Sequence, residues 1–259
     1  MIHKTAIVDK KAEIDPSVEI GPYSIIGPDV RIGKGTKIGS SVRIEGETII
    51  GENNRIFHGA TIGLDPQDYA FRGERSGVII GDDNIIREYA SIHRATGEGN
   101  YTIVGNNNFI MAYAHIAHNC QIGSNIIIVN AAQLAGHVVV EDFAYISGLV
   151  GVHQFVRIGR YSLIGANSKL VQDLPPFVIA QGVSAKATGI NIVGLKRKGF
   201  NLERIRVIKE IYRIFFRSNL NTGEAIKEIM NRFPDSPDAQ EFVNFVKNSK
   251  RGVLKKSER

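Results

Sequence analysis

The stretch VGNNNFIMAYAHIAHNCQIGSNIIIVNAAQLAGHVVVEDFAYISGLVGVHQFVRIGRYSLIGANSKL, residues 104–170, has an Ile, Val or Leu at every sixth position. These are Val104, Ile110, Ile116, Ile122, Ile128, Leu134, Val140, Ile146, Val152, Ile158, Ile164 and Leu170. Carried back to Ile2, the ladder has 29 positions, and 26 of them are Ile, Val or Leu, so the period belongs to the whole block. Asp68, Glu74 and Glu98 are its exceptions. Six is not a multiple of 3.6, so no helix could keep one apolar face over such a run. Gly often follows the apolar residue, as in Ile20-Gly21, Ile38-Gly39, Ile122-Gly123 and Ile158-Gly159, and Gly lets the chain turn tightly. A short strand and a turn every six residues make a parallel β-helix, an all-β solenoid with the ladder side chains pointing inward. Three such sides close a triangular coil, and coils stack at about 4.8 Å, the strand spacing. Each coil buries its apolar side chains only against its neighbours, so stability accumulates along the stack.

Two polar, Gly-rich stretches interrupt the ladder, at about 64–78 and 94–103, and read as loops thrown out from coil corners. Asp-Leu-Pro-Pro at 173–176 is expected to end it, since Pro cannot donate to a strand ladder. The β-helix is therefore assigned to 1–185 and a small helical domain to 186–259. In the latter, NLERIRVIKEIYRIFF has Asn201 as N-cap and Leu202, Ile205, Ile208, Ile211, Tyr212 and Phe215 at helical spacing. Further helices are expected near 222–233 and 236–249.

Charge divides along the same boundary. Residues 1–185 hold 15 basic and 18 acidic side chains, whereas 186–259 hold 17 and 8, so the positive charge lies in the C-terminal part and suits a polyanionic partner. Nucleic acid is not expected, because no aromatic platform is interleaved with the basic residues. The single Cys120 excludes a disulfide framework and a Cys-based zinc site, and reads as a small packed side chain. No apolar run approaches the roughly 20 residues of a membrane span. The N-terminus also lacks the apolar core of a signal peptide, which points to a soluble, cytoplasmic protein.

Block 104–170 is unbroken, so residues 18 apart share a corner of successive coils. His118, Gly136 and Gln154 stack in one column; His137 and His153 lie one residue either side of it, and His115 shares a coil with His118. Four of the chain's seven His thus gather on one edge, while His3, His58 and His93 fall outside the cluster. A His titrating near neutrality is a natural general base for a hydroxyl attacking a thioester. Gly136 offers a backbone N–H where an oxyanion donor is useful. The other His could orient a substrate or simply satisfy turn backbones. A metal is not expected, as no carboxylate or Cys stands at ligand spacing.

The segments IMAYAHIAHNCQIG, LAGHVVVEDFAYISGLVGVHQF, QDLPPFVIAQG and GINIVGLKRKGF closely resemble the UDP-N-acetylglucosamine O-acyltransferase family of lipid A biosynthesis. The resemblance spans the whole chain and implies a left-handed β-helix, a homotrimer and a cytoplasmic enzyme. It implies transfer of a 3-hydroxyacyl chain from acyl carrier protein to the sugar 3-position of UDP-N-acetylglucosamine, with the carrier thioester as co-substrate and no cofactor. Within it, His118 corresponds to the general base, the second His of AHIAH, followed by Asn119. Asp68, His115, His137, His153 and Gln154 correspond to contacts with the sugar and diphosphate, and Asn191, Arg197 and Lys198 to contacts with the nucleotide and its phosphates. Ala166 and Lys169 lie near the expected end of the acyl groove and would cap the chain length. Three positions depart from the family pattern: Asn119 in place of Asp, Ala70 in place of Lys and Val193 in place of Glu. All three remove charge, and an amine nucleophile needs less help from a base than a hydroxyl. A 3-amino UDP-sugar is therefore the alternative acceptor, and a non-catalytic hexapeptide scaffold the alternative from another class.

Overall fold

The computed structural model describes residues 1–254; residues 255–259 of the expected helical part lie outside the described residues. The chain winds as a left-handed parallel β-helix with three flat faces. The first face stacks nine strands from Ile7–Val8 to Lys169–Leu170, and the second stacks eight from Glu13–Ile14 to Arg157–Ile158. The third stacks ten, from Glu19–Ile20 to the hairpin Val178–Gln181 and Lys186–Ile190. That antiparallel hairpin straddles the boundary expected at 185/186.

Most strands are two residues long, and the second residue, the ladder position, faces inward. From Ile20 to Leu170 the ladder's Ile, Val and Leu are buried, none more than 4 % exposed. Ile2 is 51 % exposed, and Val8 and Ile14 are only partly buried, because no coil covers the N-terminal end of the stack. At most corners one residue adopts φ near +60°, and this chain places ordinary side chains there, among them Tyr113 (φ 61), His137 (φ 61) and Phe155 (φ 64). Left-handed backbone is costly for such residues. The stacked ladders on either side hold it in place.

The two interruptions are insertions of whole hexapeptide lengths, which is why the ladder returns in phase. Ile62 pairs with Ile92, 30 residues on, and Ile92 with Ile116, 24 on, against 18 elsewhere in the unbroken coils. The strands Gly77–Ile80 and Tyr101–Val104 begin inside the expected loops, so the loops proper end at 76 and 100. Glu74 accepts from the Gly97 N–H at 2.7 Å, and Glu98 accepts from the Arg75 N–H at 3.0 Å, so each loop holds the other. Both leave the corner between the first and second faces.

The six-residue period does not run past the prolines at 175 and 176, as expected, although the coil itself does. The strict period stops at Leu170, but Leu174 bridges Ile158 and Ile179 pairs with Leu163, carrying the core through one shortened turn. A tightened turn needs no donor from Pro itself. Four helices follow: α1 (Ile192–Arg197), α2 (Leu202–Arg217), α3 (Thr222–Arg232) and α4 (Pro237–Lys247). Asn201 caps α2 as expected, its side chain accepting from the Arg204 N–H. The short α1 has no counterpart in the sequence reading. Buried Asp173 joins coil and helices by accepting from the Arg157 N–H at 2.8 Å and the Ser249 hydroxyl at 2.7 Å.

One structural column escaped the ladder count. At the corner before the third face, buried Asn54, Asn84 and Asn108 stack in succession. Asn54 Oδ1 accepts the Asn84 N–H at 2.9 Å, Asn84 Oδ1 accepts the Asn108 N–H at 2.9 Å, and Asn84 Nδ2 donates to Gly105 O at 2.9 Å. Each amide replaces a backbone bond that the turn cannot make. Asn84→Ala leaves several buried groups unpaired at once, at about 1–3 kcal/mol each. The variant is expected to unfold at a midpoint lower by several degrees in a thermal melt, with the coil signal otherwise retained; an unchanged midpoint would refute the account.

Candidate active site

His118 lies at the corner between the first and second faces, beneath both loops, with its side chain 12 % exposed. Its Nδ1 is 2.9 Å from Asn119 Oδ1. The second loop settles which end of that amide faces the ring. The Thr96 N–H donates to Asn119 Oδ1 at 3.0 Å, and Asn119 Nδ2 donates to the Thr96 carbonyl at 3.0 Å. An oxygen presented to Nδ1 requires Nδ1 to carry the proton, so Nε2 is the basic nitrogen. That nitrogen points over Gly136 on the next coil, where a Cβ would strike it. The Gly136 N–H donates to no group among the described residues, which leaves it available to a developing oxyanion.

The other His are arranged around this ring. His137 stands perpendicular to His118 with centroids 5.3 Å apart, and stacks on Phe155 at 4.6 Å. His115 Nδ1 meets Ser91 Oγ at 2.8 Å and packs edge-on to His93 at 4.9 Å. Burial pushes His115 down to about 4 and lowers His93 and His137 as well, so all three favour the neutral ring. His93, set aside in the sequence reading, is therefore part of the buried cluster. His153 and Gln154 are exposed on the next coil. Asp68 reaches back from the first loop to place Oδ2 3.9 Å from His118 Nδ1.

A cavity of about 570 Å³ opens from this corner along the first face. His115, His118, Gly136, His153, Gln154 and Lys169 all line it, so six of the thirteen expected residues meet at one hollow. Gly151 has nothing within 4 Å of where a Cβ would stand, which keeps the floor open between Gln133 and Lys169. Lys169 closes the column three coils below His115, about 14 Å away at one strand spacing per coil. Ala166 does not line this cavity; it sits at the corner between the third and first faces. Cys120 is buried, its Sγ 3.2 Å from Ala135 O and its thiol pushed up to about 12 by burial, so it is inert packing.

The expected nucleotide contacts lie elsewhere. Arg197, Lys198, Asn191 and Val193 line a second cavity of about 400 Å³ with Phe143 and Tyr161, at the corner between the second and third faces. Asn191 caps α1, accepting from the Gly194 N–H at 3.0 Å and donating to Tyr161 O at 2.9 Å, so its amide fixes the pocket wall. Lys198 Nζ stands 4.8 Å from the centre of the Phe143 ring. Within one chain the His corner and the basic pocket occupy different edges of the prism. Thr96 and Ser91, which orient the two central His, were missed by the sequence reading. Thr96 acts through its backbone and leaves no residue signal. Ser91 sits 24 residues before His115, a register visible only once the insertion length is known.

Two family descriptions match the chain: "Udp N-acetylglucosamine O-acyltransferase; Domain 2" over residues 173–254, and the bacterial transferase hexapeptide over 101–136. The acyl-[acyl-carrier-protein]--UDP-N-acetylglucosamine O-acyltransferase of Thermodesulfovibrio yellowstonii is 52 % identical, over 98 % of this chain and 99 % of that protein. That of Herminiimonas arsenicoxydans is 47 % identical over the same shares. Among solved structures, the Francisella novicida UDP-N-acetylglucosamine acyltransferase superposes with a TM-score of 0.96 at 44 % identity, covering 100 % of this chain and 95 % of that one.

Proposed function

The chain belongs to the acyl-[acyl-carrier-protein]--UDP-N-acetylglucosamine O-acyltransferase family, and we propose that His118 is the general base through which it performs that family's reaction. The reaction moves an acyl chain from acyl carrier protein to UDP-N-acetylglucosamine, the first step of lipid A biosynthesis, with the carrier thioester as co-substrate and no cofactor. The observation that carries the assignment of His118 is its fixed tautomer: Asn119 holds Nδ1 as the donor, leaving Nε2 basic and aimed at Gly136. Nε2 takes the proton of the sugar 3-hydroxyl as its oxygen attacks the thioester carbonyl. The Gly136 N–H receives the oxyanion. Collapse of the tetrahedral intermediate breaks the C–S bond, and the departing carrier thiolate takes the proton from the imidazolium.

Asp68, His115, His137, His153 and Gln154 would then meet the sugar and diphosphate, and Arg197 and Lys198 the phosphates, where a guanidinium makes forked contacts. The acyl chain would run along the hollow over Gly151 toward Lys169, which limits its length. The net positive C-terminal part fits the acidic carrier protein. No described helix is long and apolar enough to cross a membrane, and we place the enzyme in the cytoplasm.

A homotrimer reconciles the two separated pockets. From Ile85 on, the third face points Phe109, Ile127, Tyr145 and Leu163 outward, and Tyr113 and Leu149 stand 60 % and 64 % exposed at the corner it shares with the first face. Setting that corner on a three-fold axis packs the third face of one copy on the first face of the next. The outer ends of such an interface bring the His corner of one copy to the basic pocket of its neighbour, closing one cleft.

The test is mass spectrometry of products from UDP-N-acetylglucosamine or its 3-amino analogue with a series of 3-hydroxyacyl carrier proteins. The expected product is the 3-O-acyl sugar, made best with a medium chain. A dominant 3-amino product would instead make the neutral Asn119, Ala70 and Val193 an acceptor switch, and preference for the longest donor would remove Lys169 from its capping role. No product from either sugar would overturn the reading.

A further inference from the structure

We propose that the charge partner of His118 is Asp68 on the first loop, and that Asn119 serves to fix the tautomer for the second loop. The inference rests on His118 as the base and gives Asp68 a positioning role beyond any contact with the sugar. His118 Nδ1 is 2.9 Å from the Asn119 oxygen and 3.9 Å from Asp68 Oδ2. Position 119 cannot itself supply the charge without loss: its Nδ2 donates to the Thr96 carbonyl, so a carboxylate there would set oxygen against oxygen. Asp68 is built to stay ionised and in place. The Ala70 N–H donates to its Oδ1 at 3.0 Å and is the chief reason its carboxyl lies below the usual range, while Oδ2 is left toward the ring.

The remaining groups around the ring leave this role to Asp68. His137 faces it at 5.3 Å, with His115 on the same coil and His93 on the coil before; burial lowers all three, so they add no charge at neutral pH. Arg94 is taken up by Asp65 at 2.6 Å. When Nε2 accepts the substrate proton, the new imidazolium charge therefore meets one nearby carboxylate among the described residues. At 3.9 Å an opposite charge favours the protonated ring over the neutral one.

Asp68→Asn keeps the acceptor for Ala70 and removes only the charge. In steady-state kinetics across pH 5–9 it should lower kcat by about 10- to 100-fold, with KM for UDP-N-acetylglucosamine changed only a few-fold. The acid limb of kcat should move to lower pH. Adding Asn119→Asp to that variant should move the limb back up. A raised KM with kcat and the limb in place would make Asp68 a sugar contact only and overturn the proposal. Should the variant be too weak to assay, the His118 ring signals of 15N-His-labelled protein decide it: their titration moves to lower pH in Asp68→Asn if the two groups are coupled, and stays put if they are not. That measurement needs no substrate, so it stands apart from the base reading, which a fully active His118→Ala would overturn.

Discussion

His118→Ala is expected to lower kcat for acyl transfer by about a thousandfold, with KM for the UDP-sugar within a few-fold of wild type. A positioned general base contributes about 10²–10⁴ to such a step, and the surrounding site gives no other ring that work. His115 is committed to Ser91 and pushed down to about 4, and His137 lies flat against Phe155. His153 sits exposed with Nδ1 3.2 Å from the Gln154 carbonyl, on the coil beyond Gly136. The removed side chain belongs to a turn, and the ladder residues Ile116 and Ile122 on either side keep the coil's core, so the melting midpoint should hold. Purified His118→Ala with more than a tenth of wild-type kcat would dismiss the ring as the base. A variant that loses both activity and its thermal transition would have to be replaced by His118→Gln, which keeps the volume.

The fold was legible because one interaction repeats: an inward aliphatic side chain every six residues can be satisfied by a three-sided coil and by no helix. The same counting placed His118, Gly136 and Gln154 together, because block 104–170 contains no insertion. It failed where backbone atoms do the work. Thr96 orients Asn119 through its N–H and carbonyl, which any residue type would offer. The course past the prolines and the short α1 depend on tertiary contacts with the hairpin and the helices. The three breaks in the ladder proved informative rather than noisy. Asp68 faces the base, while Glu74 and Glu98 clasp the two loops to each other. An acidic residue at an inward position could not be buried there unpaired, so each marks a point where the chain leaves the coil and builds the roof of the site.

Gly136→Ala should be the most damaging single methyl in the protein for catalysis and nearly silent for stability. Its backbone φ lies outside the left-handed region that excludes side chains, so Ala can be accommodated by the turn itself. The added Cβ instead falls against His118 Nε2, Cε1 and Cδ2. The ring must swing away, and its Nδ1 then gives up the Asn119 oxygen or its Nε2 loses its aim. Misplacing a reacting group by about 1 Å costs on the order of a hundredfold, and here the displaced atom is the one that takes the proton. The expected result is kcat down about a hundredfold with a melting midpoint within a few degrees of wild type. Full activity in Gly136→Ala would mean that the ring has room to spare and that its contact with Gly136 does not aim it. A large drop in stability alongside lost activity would place the cost in the coil packing instead. Because the substitution leaves every titratable group in place, a fall in kcat with the pH profile unshifted would separate aim from charge, the two properties that Gly136 and Asp68 supply to the same imidazole.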